Sequence, residues 1–290
     1  MQTTTTDNHN PDRPIGNMTH SASVENGPAI QVSGLVTYYG ERRILDEVNL
    51  SVEPREIMVV MGGSGSGKST LLRHLLSLHK PASGSIRLFG EDVTQLSSRQ
   101  LHQMRQRIGV SFQGGALFNS LNVEENVAFP LREHTKLDEN TIRIMARMKL
   151  ELVNLAGFGE LMPAQLSGGM IKRAALARAI VMDPQLLFFD EPSAGLDPVV
   201  SADLDELILR LRDAMGVTIV VVTHELDSAF RIADRITVLD KGKILVTGTT
   251  DEVRRCDHPR VQNLLNRRTE ETVVDIDDYL QRLTDDLAGL

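Results

Sequence analysis

The chain has 290 residues, 41% of them hydrophobic, and a formal net charge of −8. That is ample for a packed core of one or two domains, and the acidic balance excludes a general nucleic-acid coat while leaving room for a local phosphate site built from backbone N–H groups and one or two lysines. The single cysteine, Cys256, excludes an internal disulfide and fits a reducing compartment, and no apolar run approaches the ~18–20 residues of a membrane span.

Residues 1–28 are rich in Thr, Asn, Ser and Pro. They lack the basic start and apolar stretch of a signal peptide and read as a disordered extension. The pattern then predicts strands over Ile30–Tyr39 and Ile44–Val52, joined by a Gly40–Glu41 turn. A short apolar run, Glu56–Met61, ends in a Gly-rich loop, and a helix is predicted over Lys68–Leu78. Pro81 to Gly84 is a turn, and Ser85–Phe89 a further strand. The region from Gly114 to Arg178 reads as mainly helical, with apolar residues at 142, 145, 148, 152 and 155 keeping a helical period. Strands return over Leu186–Phe189, Val217–Val222, Ile236–Leu239 and Lys243–Thr247, with helices between the first three. Such alternation predicts an α/β fold with a mostly parallel sheet covered on both faces. After Arg268 the chain turns acidic, and Ile276, Leu280, Leu283 and Leu287 fall on one side of a predicted amphipathic helix.

Two segments carry the chemistry. Gly62-Gly63-Ser64-Gly65-Ser66-Gly67-Lys68-Ser69 fits G-x-x-x-x-G-K-[ST], after a predicted strand and at the start of a predicted helix. Glycines permit turns that aim successive N–H groups inward, and the helix N-terminus adds partial positive charge. Lys68 is expected to reach the β- and γ-phosphates of a nucleotide, Ser69 to ligate Mg²⁺, and Thr70 to complete the nucleotide contacts. Leu186 to Glu191 reads as a buried strand ending in two carboxylates, at the sheet edge where α/β folds bind ligands. Asp190 is expected to hold Mg²⁺, and Glu191 to face the attacking water as general base.

Further segments combine with these. Tyr39 precedes Gly40; Gln113 lies after the phosphate loop; Leu166-Ser167-Gly168-Gly169-Met170 opens a helix; Ala194 to Asp197 follows the acidic pair; His224 follows the strand Val217–Val222. In this set and order the chain, from about Ile30 to Gly248, resembles the ABC (ATP-binding-cassette) ATPases. The resemblance implies a P-loop NTPase core, an N-terminal antiparallel β subdomain and a helical signature subdomain over 114–178, all within 29–250, with 251–290 as a C-terminal extension. It implies that Tyr39 stacks on adenine, that Gln113 touches Mg²⁺ or its water, and that His224 bonds the γ-phosphate and positions Glu191. It also implies that Ser167, Gly168 and Gly169 serve the ATP held by a second copy of the chain, with Asp197 in the loop crossing between the two. The usual fifth signature residue is Gln; here it is Met170.

Longer stretches narrow the resemblance: Phe112 to Phe118, Asn126 to His134, Leu161 to Met170, and Lys172 to Ala179. Together they look like the ATPases of the Mla (maintenance of lipid asymmetry) transporters, which work with MCE proteins to move phospholipid between the two membranes of Gram-negative bacteria. That implies two permease copies, a periplasmic MCE protein, in some members a small STAS-domain regulator, and a place on the cytoplasmic face of the inner membrane reached through the permease. The segment Gln113–Pro130 is expected to receive a short cytoplasmic permease helix, with Phe118, Leu121 and Val123 as contacts. An ATPase of another ABC importer or exporter is the alternative, and a soluble ABC protein of DNA repair or translation a more distant one.

Overall fold

Ile57, Val59 and Met61 point to one side of their strand and Met58 and Val60 to the other, yet all five are fully buried. A strand apolar on both faces belongs inside a covered sheet. The computed structural model, which describes residues 27–268, puts it there. β1 (Ile30–Tyr39), β2 (Arg42–Val52), β4 (Ser83–Leu88) and the short β5 (Glu91–Asp92) form an antiparallel sheet in the order β2-β1-β4-β5. The larger sheet has the order β10-β9-β3-β8-β7-β6, comprising β3 (Ile57–Met61), β6 (Ile108–Ser111), β7 (Leu186–Asp190), β8 (Thr218–Val222), β9 (Arg235–Asp240) and β10 (Lys243–Thr249). All its pairings are parallel except that of β9 with β10.

The large sheet separates two cores. One lies between it and the antiparallel sheet, with α1 (Lys68–Leu75), and takes Leu186, Phe188, Val220 and Val222. The other lies under the helices and takes Leu187, Phe189, Ile219 and Val221. Those helices are α3 (Val123–His134), α4 (Glu139–Leu152), α5 (Gly168–Ile180), α6 (Pro198–Met215) and α7 (Leu226–Ile232), following α2 (Ser98–Arg105) in chain order.

Several elements were not predicted: α2, the two-residue β5, β6, and the helices α8 (Thr250–Arg254) and α9 (Pro259–Leu265). α2 is held by a Ser97–Gln100 capping box, and β6 is a four-residue edge strand whose interior Gly109 weakens its pattern. At the other end, α8 and α9 bury Val253 and Val261 in the helix-side core, with Cys256 partly buried beside them. The packed body therefore runs past residue 250. The predicted amphipathic helix with Ile276 to Leu287, and all but the end of the N-terminal extension, lie outside the described residues.

Candidate active site

β3, β8 and β7 are neighbours in the sheet, and Val60 and Asp190 both pair with Val222. The turns that leave the carboxyl ends of these three strands therefore lie side by side. Gly62 follows β3, Thr223 and His224 follow β8, and Glu191 follows β7.

The loop after β3 is shaped by close approach. Gly67 has φ 109°, in the region that favours glycine, and at Gly62 a Cβ would lie 2.1 Å from the Leu239 carbonyl oxygen, a space that only glycine fits. Gly67 also caps α1 without a side-chain bond, which leaves the first amides of the helix to a ligand. Lys68 Nζ donates to the carbonyls of Gly62 at 2.7 Å and Gly63 at 3.1 Å. Its ammonium thus lies over the loop. Burial pushes the Lys68 pKa down, and the carboxylates of Glu191 and Asp190 oppose that shift. Ser66 Oγ is buried with no hydrogen-bond partner among the described residues. Ser69 is exposed and Thr70 is buried on the same turn. Beside them Tyr39, at the end of β1, is 45% exposed, and its hydroxyl is 3.5 Å from Arg73 Nη1. Hydrogen bonds from the Thr70 and Arg73 side chains push that hydroxyl's pKa down. The ring is a half-open platform anchored at its rim.

Across the loop stand the two carboxylates. Asp190 ends β7; burial raises its pKa, and the neighbouring Glu191 raises it further. Glu191 has φ 49°, an uncommon conformation for a residue with a Cβ. Its N–H donates to the Val222 carbonyl at 2.8 Å. Its Oε2 accepts from Thr223 Oγ1 at 3.1 Å, and His224 Nδ1 lies 2.9 Å from its Oε1. The structure thus brings Lys68, Asp190, Glu191 and His224 to one sheet edge. Thr223 was not foreseen.

Gln113 is exposed in the turn after β6, and its carbonyl accepts from Lys172 Nζ. Lys172 also donates to the Glu191 carbonyl at 3.2 Å. Lys172 was not foreseen: α5 is buried almost all round in the fold, so a cation on it must find polar partners inside. Ser167 is exposed and caps α5, accepting from Met170 N at 3.3 Å. Gly169 has a packing reason of its own, since a Cβ there would come within 2.8 Å of Val200 Cγ1 on α6. Met170 packs against the helix-side core. Asp197 caps α6 through Val199 N and Val200 N, both at 3.1 Å.

Beside the Gln113 turn, Phe112, Phe118, Phe129, Pro130 and Arg178 line a groove of 490 Å³. Fully buried Asn126 pins the Phe118 turn, accepting from Phe118 N and donating to the Phe118 and Leu121 carbonyls. Phe118 is accordingly presented to solvent, as expected, and Leu121 is half-buried. Val123 corrects the expectation: it is fully buried at the first turn of α3 and belongs to the core, because the helix start must bury its apolar side against α4 and α5.

A Gly-rich loop between a central parallel strand and a helix, faced by a strand-end carboxylate pair and a histidine, is a P-loop nucleoside-triphosphatase site. Comparison with known proteins completes the assignment. The ABC transporter family matches residues 45–194, and the chain belongs to that family as an ATP-hydrolysing, ATP-binding subunit. It is 43% identical over 244 residues to the intermembrane phospholipid transport system ATP-binding protein MlaF of Haemophilus influenzae, covering 84% of this chain and 92% of that one. It is also 43% identical over 242 residues to the probable ribonucleotide transport ATP-binding protein mkl of Mycobacterium leprae, covering 83% and 70%. The fold is similar, with a TM-score of 0.70 and 30% identity, to a dimeric post-hydrolysis structure of the ATP-binding cassette MJ0796 bound to ADP and Pi, over 76% of this chain and 98% of that one.

Proposed function

We propose that two copies of this chain sandwich two ATP molecules and drive phospholipid transport between the inner and outer membranes, in a complex with a permease and a periplasmic MCE protein. The observation that carries the cargo is the match to MlaF over nearly that protein's whole length, against 70% of mkl. The mkl match at equal identity supports a second reading, a nucleotide cargo.

In the proposed mechanism each residue has a physical task. The loop amides from Gly62 to Lys68, with Ser69 and Thr70, bind the phosphates. Lys68 moves its ammonium from the loop carbonyls to the β- and γ-phosphate oxygens. Tyr39 offers its ring to the adenine. Glu191 takes a proton from a water that attacks the γ-phosphorus, while the bond from that phosphorus to the β-side bridging oxygen breaks, giving ADP and phosphate. His224 holds the Glu191 carboxylate in place and bonds the γ-phosphate. Ser69, Gln113 and Asp190 would hold Mg²⁺. They are hard oxygen donors, and the repulsion between Asp190 and Glu191 is of the kind that a divalent cation relieves. Bound there, Mg²⁺ would neutralise phosphate charge. Ser167, Gly168 and Gly169 address the ATP of the second copy, and Asp197 crosses between the two.

The Phe118 groove supports the docking of a short permease helix. No helix of the described residues is long and apolar enough to cross a membrane, so the proposed place on the cytoplasmic face of the inner membrane depends on that contact. The exposed stripe Ile144, Met148 and Leu152 on α4 offers a surface to a small STAS-domain regulator. Affinity purification of the full-length chain from native membranes, followed by mass spectrometry, tests the reading. A permease together with an MCE protein is the expected result, and labelled phospholipid should move in liposomes only with ATP. A complex lacking any MCE protein, or one that moves nucleotides instead, rejects the phospholipid reading.

A further inference from the structure

Lys172 is 8% exposed, in a helix otherwise packed by Ala, Leu and Ile. Burial pushes its pKa down, so the charge is held there at a cost, and the nearby carboxylates of Asp190 and Glu191 offset part of it. Its Nζ donates to two main-chain carbonyls on two different segments: Gln113, after β6, and Glu191, after β7. Packing alone gives no reason for an ammonium at this position, because an apolar side chain of similar length would fill the space without the desolvation cost. What the ammonium adds is the connection.

That connection falls where the backbone needs holding. Glu191 sits at φ 49°, and such a conformation persists only when its neighbours over-determine it. Its N–H is held by Val222 and its side chain by Thr223 and His224. Its carbonyl accepts from Ala194 N at 3.3 Å and from Lys172. The helix that carries Lys172 starts at Ser167. It also reaches the far end of the Gln113 turn, where Arg178 donates to the carbonyls of Gly115 at 2.7 Å and Ala116 at 2.8 Å.

We propose that Lys172 is a positioning residue for hydrolysis: an ammonium strut that fixes the Glu191 turn and the Gln113 turn to one rigid helix. A shift of α5 at its Ser167 end then reaches the water-activating carboxylate and Gln113 together. This inference rests on the proposed role of Glu191 as base.

The test uses the purified full-length chain and four variants: Lys172→Met, Lys172→Arg, Glu191→Gln, and the double variant Lys172→Met with Glu191→Gln. Misplacing a catalytic group by about an ångström costs on the order of 10- to 100-fold in rate. Lys172→Met should therefore lose turnover by that order while KM and the affinity for a fluorescent ATP analogue stay within about twofold. Lys172→Arg, which retains a cation able to donate to both carbonyls, should recover most of the rate. In the Glu191→Gln background the Met substitution should cost clearly less than it does in the parent, because Glu191 is already disabled and only the Gln113 turn is left for the strut to hold. If the Met variant melts early or loses nucleotide binding, Lys172→Gln, a neutral donor on a shorter stem, is read by the same criteria. Wild-type turnover in the neutral variant, or an equal loss in both backgrounds, overturns the strut. A Glu191→Gln variant that still turns over normally overturns instead the reading of Glu191 beneath it.

Discussion

Glu191 and its contacts concentrate the chemistry at the scale of single residues. A carboxylate that must accept a proton from water has to be held in one orientation, and here both its oxygens have partners, Thr223 on Oε2 and His224 on Oε1. An amide of the same shape keeps most of that geometry but cannot take the proton. Glu191→Gln should therefore bind ATP within about twofold of the parent and hydrolyse it ~10²–10⁴-fold more slowly. Steady-state phosphate release and equilibrium nucleotide binding measure the two halves. Turnover near the parent rate would remove Glu191 from the role of base. The sequence made Glu191 visible because it ends an apolar run beside a second carboxylate, and His224 because its place after a strand matched a family position. Thr223 was not legible: a threonine closing a β-branched strand looks like any other, and only the pairing of β7 with β8 brings its hydroxyl to the carboxylate. Val123 was misread for a related reason. Apolar residues beside a functional turn can face either way, and the burial of the α3 start decides it.

At the scale of elements, legibility followed agreement between signals. β3 and α1 were clear because an apolar run, a glycine loop, a lysine and a helical pattern succeed one another without conflict. β6 was lost because four residues with an interior glycine carry too little pattern. α5 was seen as a helix, but nothing in its local pattern marked Lys172 as enclosed; that follows from the packing of the helix on nearly every side. α1 hides another buried polar group. His74 is 1% exposed, with Nε2 2.7 Å from Thr37 Oγ1 on β1 and Nδ1 3.0 Å from the His79 carbonyl. It ties the helix behind the phosphate loop to the antiparallel sheet. Burial lowers its pKa, the nearby His79 ring adds to that, and the His79 carbonyl opposes it. The folded chain therefore holds fewer protons on His74 than the unfolded chain, whose histidines titrate near about 6.5. Its contribution to stability is present above that pH and is lost as the pH falls below it. Thermal melts at a series of pH values should show Tm dropping between about pH 7.5 and 5.5. His74→Gln should lower Tm at the upper end and flatten the drop. An unchanged slope in the variant would show that other groups cause the pH dependence.

For the whole molecule the question is what one chain leaves incomplete. Ser167 and Gly168 stand exposed at the start of a thirteen-residue helix, and the first amides of such a helix suit an anion. Among the described residues no hydrogen bond joins this segment to the loop Gly62–Lys68 of the same chain. Val199, beside Asp197, leaves 72% of its surface open. The architecture of one chain was largely legible from strand–helix alternation, but its completion by a second copy was not; that came from the family resemblance, because no spacing within a chain encodes which copy a helix end serves. The arrangement can be tested directly. Replace the half-buried Cys256 with Ser, then place one cysteine per chain, Ser64→Cys in one set and Ser167→Cys in the other, both on the Glu191→Gln background so that bound ATP persists. A short bismaleimide linker is the suitable reagent, since a disulfide demands Cα atoms within about 7 Å. Mixed chains with ATP and Mg²⁺ should give a covalent dimer, and peptide mapping should find the thiol introduced at position 64 of one set joined to the thiol introduced at position 167 of the other. Omitting ATP should reduce the yield severalfold, because the nucleotide is the material between the two faces. In a single chain carrying both substitutions, linkage within the chain and none between chains would mean that Ser167 serves its own phosphate loop, and the paired arrangement would fall.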